Sequence, residues 1–138
     1  MKNTKKVLRG ILLPLFLLTL IFSCSTREDE LSNDNYVGTW NWVSTDGGIV
    51  NTHQTPASTG IVRTLTFTRE NAYKIIENDV VVNEGTYNIV RDISSLDHVE
   101  KTFINFSNYA DLMVQSVDSE NLFLTEDAND GFSYHYSK

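Results

Sequence analysis

From residue 36 onward the chain is predicted to be all-β: a small up-and-down antiparallel barrel of about eight strands, with a two-sheet β-sandwich as the alternative. Three observations predict it. Short runs of β-branched and aromatic residues are separated by clusters of Asn, Asp, Gly and Ser. No window carries apolar residues at the three-to-four spacing of an amphipathic helix. The connections are mostly short, as in a meander, and closing a meander on itself removes its two exposed edges. Strand spacing alone leaves the sandwich open.

The elements follow in order. Tyr36 to Thr45 is the first strand, with Trp40 and Trp42 on one face. A polar connection, Asp46 to Gly60, contains Gly47-Gly48 and Thr55-Pro56; it is the longest, and long ordered loops often carry function. Ile61 to Thr68 alternates most clearly, with Ile61, Arg63, Leu65 and Phe67 on one side. Ala72 to Glu77 and Val80 to Val90 form a hairpin about Asn78-Asp79, a pair suited to a tight turn. Gly85 predicts a bulge or sharp bend. Arg91 to Lys101 reads as a charged loop. Thr102 to Ser107, Leu112 to Val117, Asn121 to Thr125 and Phe132 to Ser137 complete the strands. Period-two alternation then predicts an inward set: Trp40, Trp42, Leu65, Phe67, Tyr73, Ile75, Tyr87, Ile89, Ile104, Phe106, Leu122, Leu124 and Tyr134.

The first 23 residues have a different character. Lys2, Lys5, Lys6 and Arg9 precede an apolar run from Ile11 to Phe22, and no acid occurs before Glu28. That is the layout of a secretory signal peptide. A spanning helix needs ~20 apolar residues, and this run is shorter and interrupted by Pro14. Ile21-Phe22-Ser23-Cys24 resembles the bacterial lipobox, which implies that Cys24 receives a diacylglycerol and becomes the first residue of the mature chain. Cys24 is the only cysteine, so no internal disulfide competes for it. Two or more acyl chains make a stable anchor. Ser25 after the cysteine implies the outer membrane, and Arg27-Glu28-Asp29-Glu30 resembles the acidic surface-export signal of Bacteroidota lipoproteins. The expected organisation is a signal peptide over 1–23, an acylated Cys24 with a polar linker to residue 35, and one domain over 36–138.

Charge narrows the partners. All 18 acids follow Cys24, while four of the 11 Lys and Arg precede it, leaving a mature chain with a formal charge of −11. Nucleic acid is excluded as a partner, because binding it rests on neutralising phosphates. The membrane contact expected is through the acyl chains, since an anionic surface would repel the head.

Gly38-Thr39-Trp40 resembles the Gly-x-Trp signature of lipocalins. Together with Val37 to Trp42, Leu65-Thr66-Phe67-Thr68 and Gly85-Thr86-Tyr87, it is similar to the lipocalin-like domain of Bacteroidota lipoproteins. The resemblance implies the barrel, with Gly38 and Trp40 as its structural signature. Lipocalins pack a basic residue from the end of the barrel over that Trp, and the last strand here offers only Lys138. The C-terminal helix of full lipocalins has no counterpart, so the resemblance implies a minimal barrel.

An eight-stranded barrel is just wide enough to be filled by side chains or to hold one small ligand. The expected site is a cavity at the open end lined by Trp42, Tyr73, Tyr87 and Tyr134, taking a small apolar molecule; buried hydroxyls need partners, and a ligand could be one. The alternative is a packed barrel that binds another envelope protein through Ile49, Val50, Ile93 and Leu96. No metal or cofactor is expected: His53, His98 and His135 show no ligand spacing, and Asp127-x-Asn129-Asp130-Gly131 lacks the Glu of a calcium loop. No catalytic residue is expected either, there being no Gly-x-Ser-x-Gly elbow and no carboxylate flanked by apolar residues; Glu84 is the least implausible acid.

Overall fold

The structure, a computed structural model, describes residues 31–138. The leader, the lipobox with Cys24 and the acidic run after it lie outside the described residues. Among those described, no helix is long and apolar enough to cross a membrane.

Nine strands and one helical turn make up the domain: β1 (Gly38–Gly47), β2 (Thr52–Gln54), α1 (Pro56–Thr59), β3 (Arg63–Phe67), β4 (Ala72–Glu77), β5 (Val80–Ile93), β6 (Glu100–Phe106), β7 (Leu112–Val117), β8 (Asn121–Thr125) and β9 (Phe132–Ser137). Every pairing is antiparallel, each strand from β3 to β9 beside the next, and β1 pairs both β3 and β9. The sheet therefore closes into an eight-stranded up-and-down barrel, with β2 as an extra strand hydrogen-bonded to the last residues of β1. The barrel is the fold, and the sandwich is excluded.

The inward parity holds. Trp40, Leu65, Phe67, Tyr87, Ile104, Leu122 and Leu124 are almost wholly buried, and Ile89 is half-buried against the same cluster. Tyr36, Leu112 and Tyr136 join the core. Aromatic edges lock one flank: Phe67 meets Tyr87 at 4.7 Å between centroids, and Tyr73 meets Phe106 at 4.7 Å, offset geometries that suit ring quadrupoles.

The near end of the barrel, where β1 begins, is closed around Trp40. Its Nε1 donates to the Tyr36 carbonyl at 2.6 Å, and Lys138 Nζ lies 4.3 Å from the ring centroid, within cation–π range. Gly38 makes room for this: its φ of +130° is barred to other residues, and a Cβ there would sit 3.2 Å from Lys138 Cε.

Three sequence expectations are corrected. The connection after β1 is not structureless: β1 runs on to Gly47, β2 pairs back on it, and Thr55 caps α1 with Pro56 in the first turn and a reciprocal Thr55–Ser58 bond, a signal readable as a capping box. The loop at 91–101 is shorter, because β5 continues to Ile93 and β6 starts at Glu100. The bulge in β5 falls between the partners of Ile75 and Ile76, whereas Gly85 stays in register opposite Tyr73.

Gly85 is needed for a close approach. A Cβ there would collide with Ser107 Oγ and crowd the Tyr73 ring at 3.1 Å. Ser107 Oγ cannot simply rotate away, since it accepts the Thr86 N–H at 2.9 Å. Gly85→Ala is expected to lower stability by about 1–3 kcal/mol, the usual range for overpacking. The check is urea unfolding followed by tryptophan fluorescence: the midpoint should fall with an unchanged slope.

Candidate functional site

The barrel wall alternates apolar residues inward, but at the far end, where β1, β4, β6 and β8 finish, the alternation delivers charge. Arg63 opens β3 on the face shared with Leu65 and Phe67, and Glu77 closes β4 directly opposite it. Both side chains enter the barrel end. Arg63 Nε donates to Glu77 Oε1 at 2.7 Å and Nη2 meets the same oxygen at 2.6 Å. The guanidinium lies over Trp42, 4.9 Å from the ring. Solvent still reaches the pair, at 21% of the Arg63 and 28% of the Glu77 side chain.

Tyrosines surround it. Tyr136 pairs with Trp42 across the closing seam and is 4% exposed. Burial pushes its phenol up to about 12, while the neighbouring Arg63 charge draws it partly back. Burial works against the Arg63 charge as well, but Tyr136 and Glu77 more than restore it. Tyr134 donates to Glu126 Oε1 at 2.8 Å; burial and that carboxylate hold its phenol far above the ordinary value. The Tyr73 hydroxyl donates to Asn83 Oδ1, and Asn83 Nδ2 reaches the Asn108 carbonyl at 2.9 Å in the β6–β7 hairpin. Tyr109, on that hairpin, is 41% exposed and meets Phe106 edge-on.

Of the four residues expected to line the open end, the structure brings Trp42 and Tyr134 to this cluster and turns the Tyr73 hydroxyl toward its hairpin. Tyr87 is elsewhere. Its hydroxyl donates to the Thr68 carbonyl at 2.9 Å, in the β3–β4 turn of the near end. Among the described residues no buried side-chain nitrogen or oxygen lacks a hydrogen-bond partner. The Tyr73, Tyr87 and Tyr134 hydroxyls are satisfied within the chain, and none of the three waits for a ligand.

Sequence reasoning passed over Arg63 and Glu77, although the signal was present. Arg63 stands on the inward face of the clearest alternating strand, and a charge at such a position needs a partner inside. Trp42 Nε1 is likewise satisfied internally, by Thr45 Oγ1 at 2.9 Å.

The remaining candidates have structural occupations. Asp127 is bound by the β5–β6 connection: Ser94 Oγ donates to it at 2.7 Å and the Ser95 N–H at 2.6 Å, which lowers its pKa. His53 pairs with Asp46 across the β1–β2 ladder. His135 stacks on Phe123 at 4.2 Å. Glu84 is an exposed partner of Lys74 at 3.7 Å.

The raised Tyr136 phenol has a consequence for stability. A folded pKa of about 12 against ~10 in the unfolded chain means the native state keeps its proton longer. Its contribution is complete below pH ~10 and is lost as pH rises through about 12, about 3 kcal/mol in all. Urea unfolding at stepped alkaline pH should show that fall. In Tyr136→Phe the same interval should be shallower by about 1.4 kcal/mol per pH unit.

No family model, curated protein or solved structure matches this chain.

Proposed function

We propose that this chain is a lipid-anchored protein of the bacterial outer membrane, tethered through Cys24, whose barrel binds a small ligand without chemistry. The leader, the lipobox and the polar stretch to residue 35 support the tether. The ligand sits at the far end, with its apolar body against the connection that follows β1 and its polar part on the charged floor.

One observation carries the binding reading: the Arg63–Glu77 pair is enclosed in a barrel end that apolar residues could have filled. A buried ion pair is a poor source of stability, and apolar replacements are often neutral or better. Charge retained inside one end, at a point solvent reaches, is the usual layout of a site in which a few polar groups orient a ligand. The filled layers beneath keep that ligand shallow. Ile61 packs on the core beside this end, and Ile49 and Val50, 88% and 84% exposed on the same connection, offer apolar contact.

A second reading has its own observation. Val62, Val80, Val81 and Val82 are all between 46% and 65% exposed, and the 62–78 and 76–81 contacts bring them to one stretch of wall. Exposed apolar surface of this kind marks protein contacts, and it supports an envelope partner docking on a packed barrel.

Native mass spectrometry of the purified chain, with solvent extraction, separates the two. Small-ligand binding predicts a discrete extra mass that disappears in Trp42→Glu. A bare protein mass, with crosslinks from Val81 to another envelope protein, would favour the second reading. In the same preparation Cys24→Ala is expected to abolish incorporation of labelled palmitate and release the protein from the membrane fraction.

A further inference from the structure

The way Arg63 is held indicates which ligand chemistry the far end takes. A guanidinium edge matches two oxygens side by side, the geometry of a carboxylate. Here Nε and Nη2 converge on one oxygen of Glu77, so the chain's own carboxylate fills the position with less than the full fork. Glu77 is also the last residue of β4, next to the Asn78-Asp79 turn, and more than a quarter of its side chain is open to water. It can swing into solvent and keep its charge hydrated. Arg63 has more to lose by leaving, because its guanidinium lies over the Trp42 ring and beside Tyr136. An exchangeable carboxylate on a fixed guanidinium is a receptor occupied by its own competitor.

We infer that the far end recognises a small amphiphile with a carboxylate head, which displaces Glu77 from Arg63 and lays its apolar body against Ile61, two residues before Arg63. The inference rests on the small-ligand reading above and names the ligand class. Its signature is the role of Glu77. A purely structural pair loses stability when either member is neutralised and binds nothing better. A competing carboxylate, once neutralised, leaves Arg63 freer for the ligand, so binding tightens.

The test uses the full chain in lipid nanodiscs, with empty nanodiscs as the blank. The probes are carboxyl-13C-labelled octanoate, octanol and octylamine, followed by the 13C shift and by tryptophan fluorescence. Octanoate is expected to bind saturably, with octanol and octylamine at least about tenfold weaker, the span of one charge-assisted contact. Glu77→Gln should tighten octanoate several-fold and leave octanol unchanged. Since Arg63→Gln alone strands Glu77 and can unfold the end, the neutral pair Arg63→Gln with Glu77→Gln serves as the second variant; it should remove the preference for octanoate over octanol. Equal binding of octanol, preference for octylamine, or octanoate binding that Glu77→Gln fails to tighten would each overturn the carboxylate assignment. A neutral co-purifying molecule without octanoate binding would overturn it too, yet leave small-ligand binding standing. No co-purifying mass and no binding of any probe would remove both.

Discussion

Everything in this barrel depends on the seam where β9 returns to pair with β1. Without it β1 and β9 would be two bare edges, and strand-to-strand association would be the default outcome. With it, two side-chain arrangements are set at once. Lys138 is carried over Trp40, and Tyr136 is placed opposite Trp42. The seam also carries a register shift between Trp42 and Ser44. That shift turns Thr45 inward, where its hydroxyl meets the Trp42 indole. Closure, and not any single core contact, couples the two ends.

The two tryptophans of β1 show how one periodicity yields two environments. Trp40 and Trp42 share a face, and each has a cation on its ring. At the near end the cation is a lysine at the rim, whose methylenes pack on Gly38 while its charge stays close to water, a common way to bury an amphipathic side chain. At the far end the cation is an arginine inside the wall, and its charge requires Glu77 and Tyr136 to offset desolvation. Lysine could not replace it. A point charge would meet the carboxylate, but would lack the flat face that stacks on Trp42 and the second donor that meets the same Glu77 oxygen. The near end is thus a plug, and the far end is a polar floor.

Much of the fold was legible because alternation fixes which face of a strand turns inward. All thirteen residues assigned inward by parity belong to the core or pack against it. The Asn78-Asp79 turn was legible too, both residues taking positive φ as a two-residue hairpin requires. What escaped depends on contacts between distant segments. The bulge lies near Val82 and not at Gly85, where the sequence predicts it, because glycine signals thinness and bending alike and only the approach of Ser107 distinguishes them. Alternation groups Tyr87 with Tyr73 because both face inward. Parity carries no information on height along the barrel, and strand tilt sends one hydroxyl to each end. Arg63 was visible in the alternation, but its partner was not, since Glu77 faces it only once β3 and β4 are in register.

The acidic character of the chain sharpens what the far end can do. A carboxylate approaching residues 25–138, which carry a formal charge of −11, meets repulsion from most of the surface. Over distances beyond the ~8 Å Debye length that repulsion is largely screened at physiological salt. What remains is local: the Arg63 charge, the Glu77 carboxylate that neutralises it, and Glu126, whose oxygens are taken up by Tyr134 and the Phe132 N–H. In the resting protein the floor is close to neutral, so it neither gathers anions nor repels cations strongly. Displacing Glu77 changes that balance only when another carboxylate arrives, because Arg63 is otherwise left uncompensated in a site of low dielectric. On the proposed reading the guanidinium would prefer whichever carboxylate also covers apolar surface. Glu77 has no apolar body to lay against Ile61, whereas an amphiphile gains roughly 25 cal/mol for each Å² it removes from water. On the proposed carboxylate reading, selection for an amphiphile over simple anions would come from the apolar area it covers, and Glu77 would set the threshold that this gain must exceed.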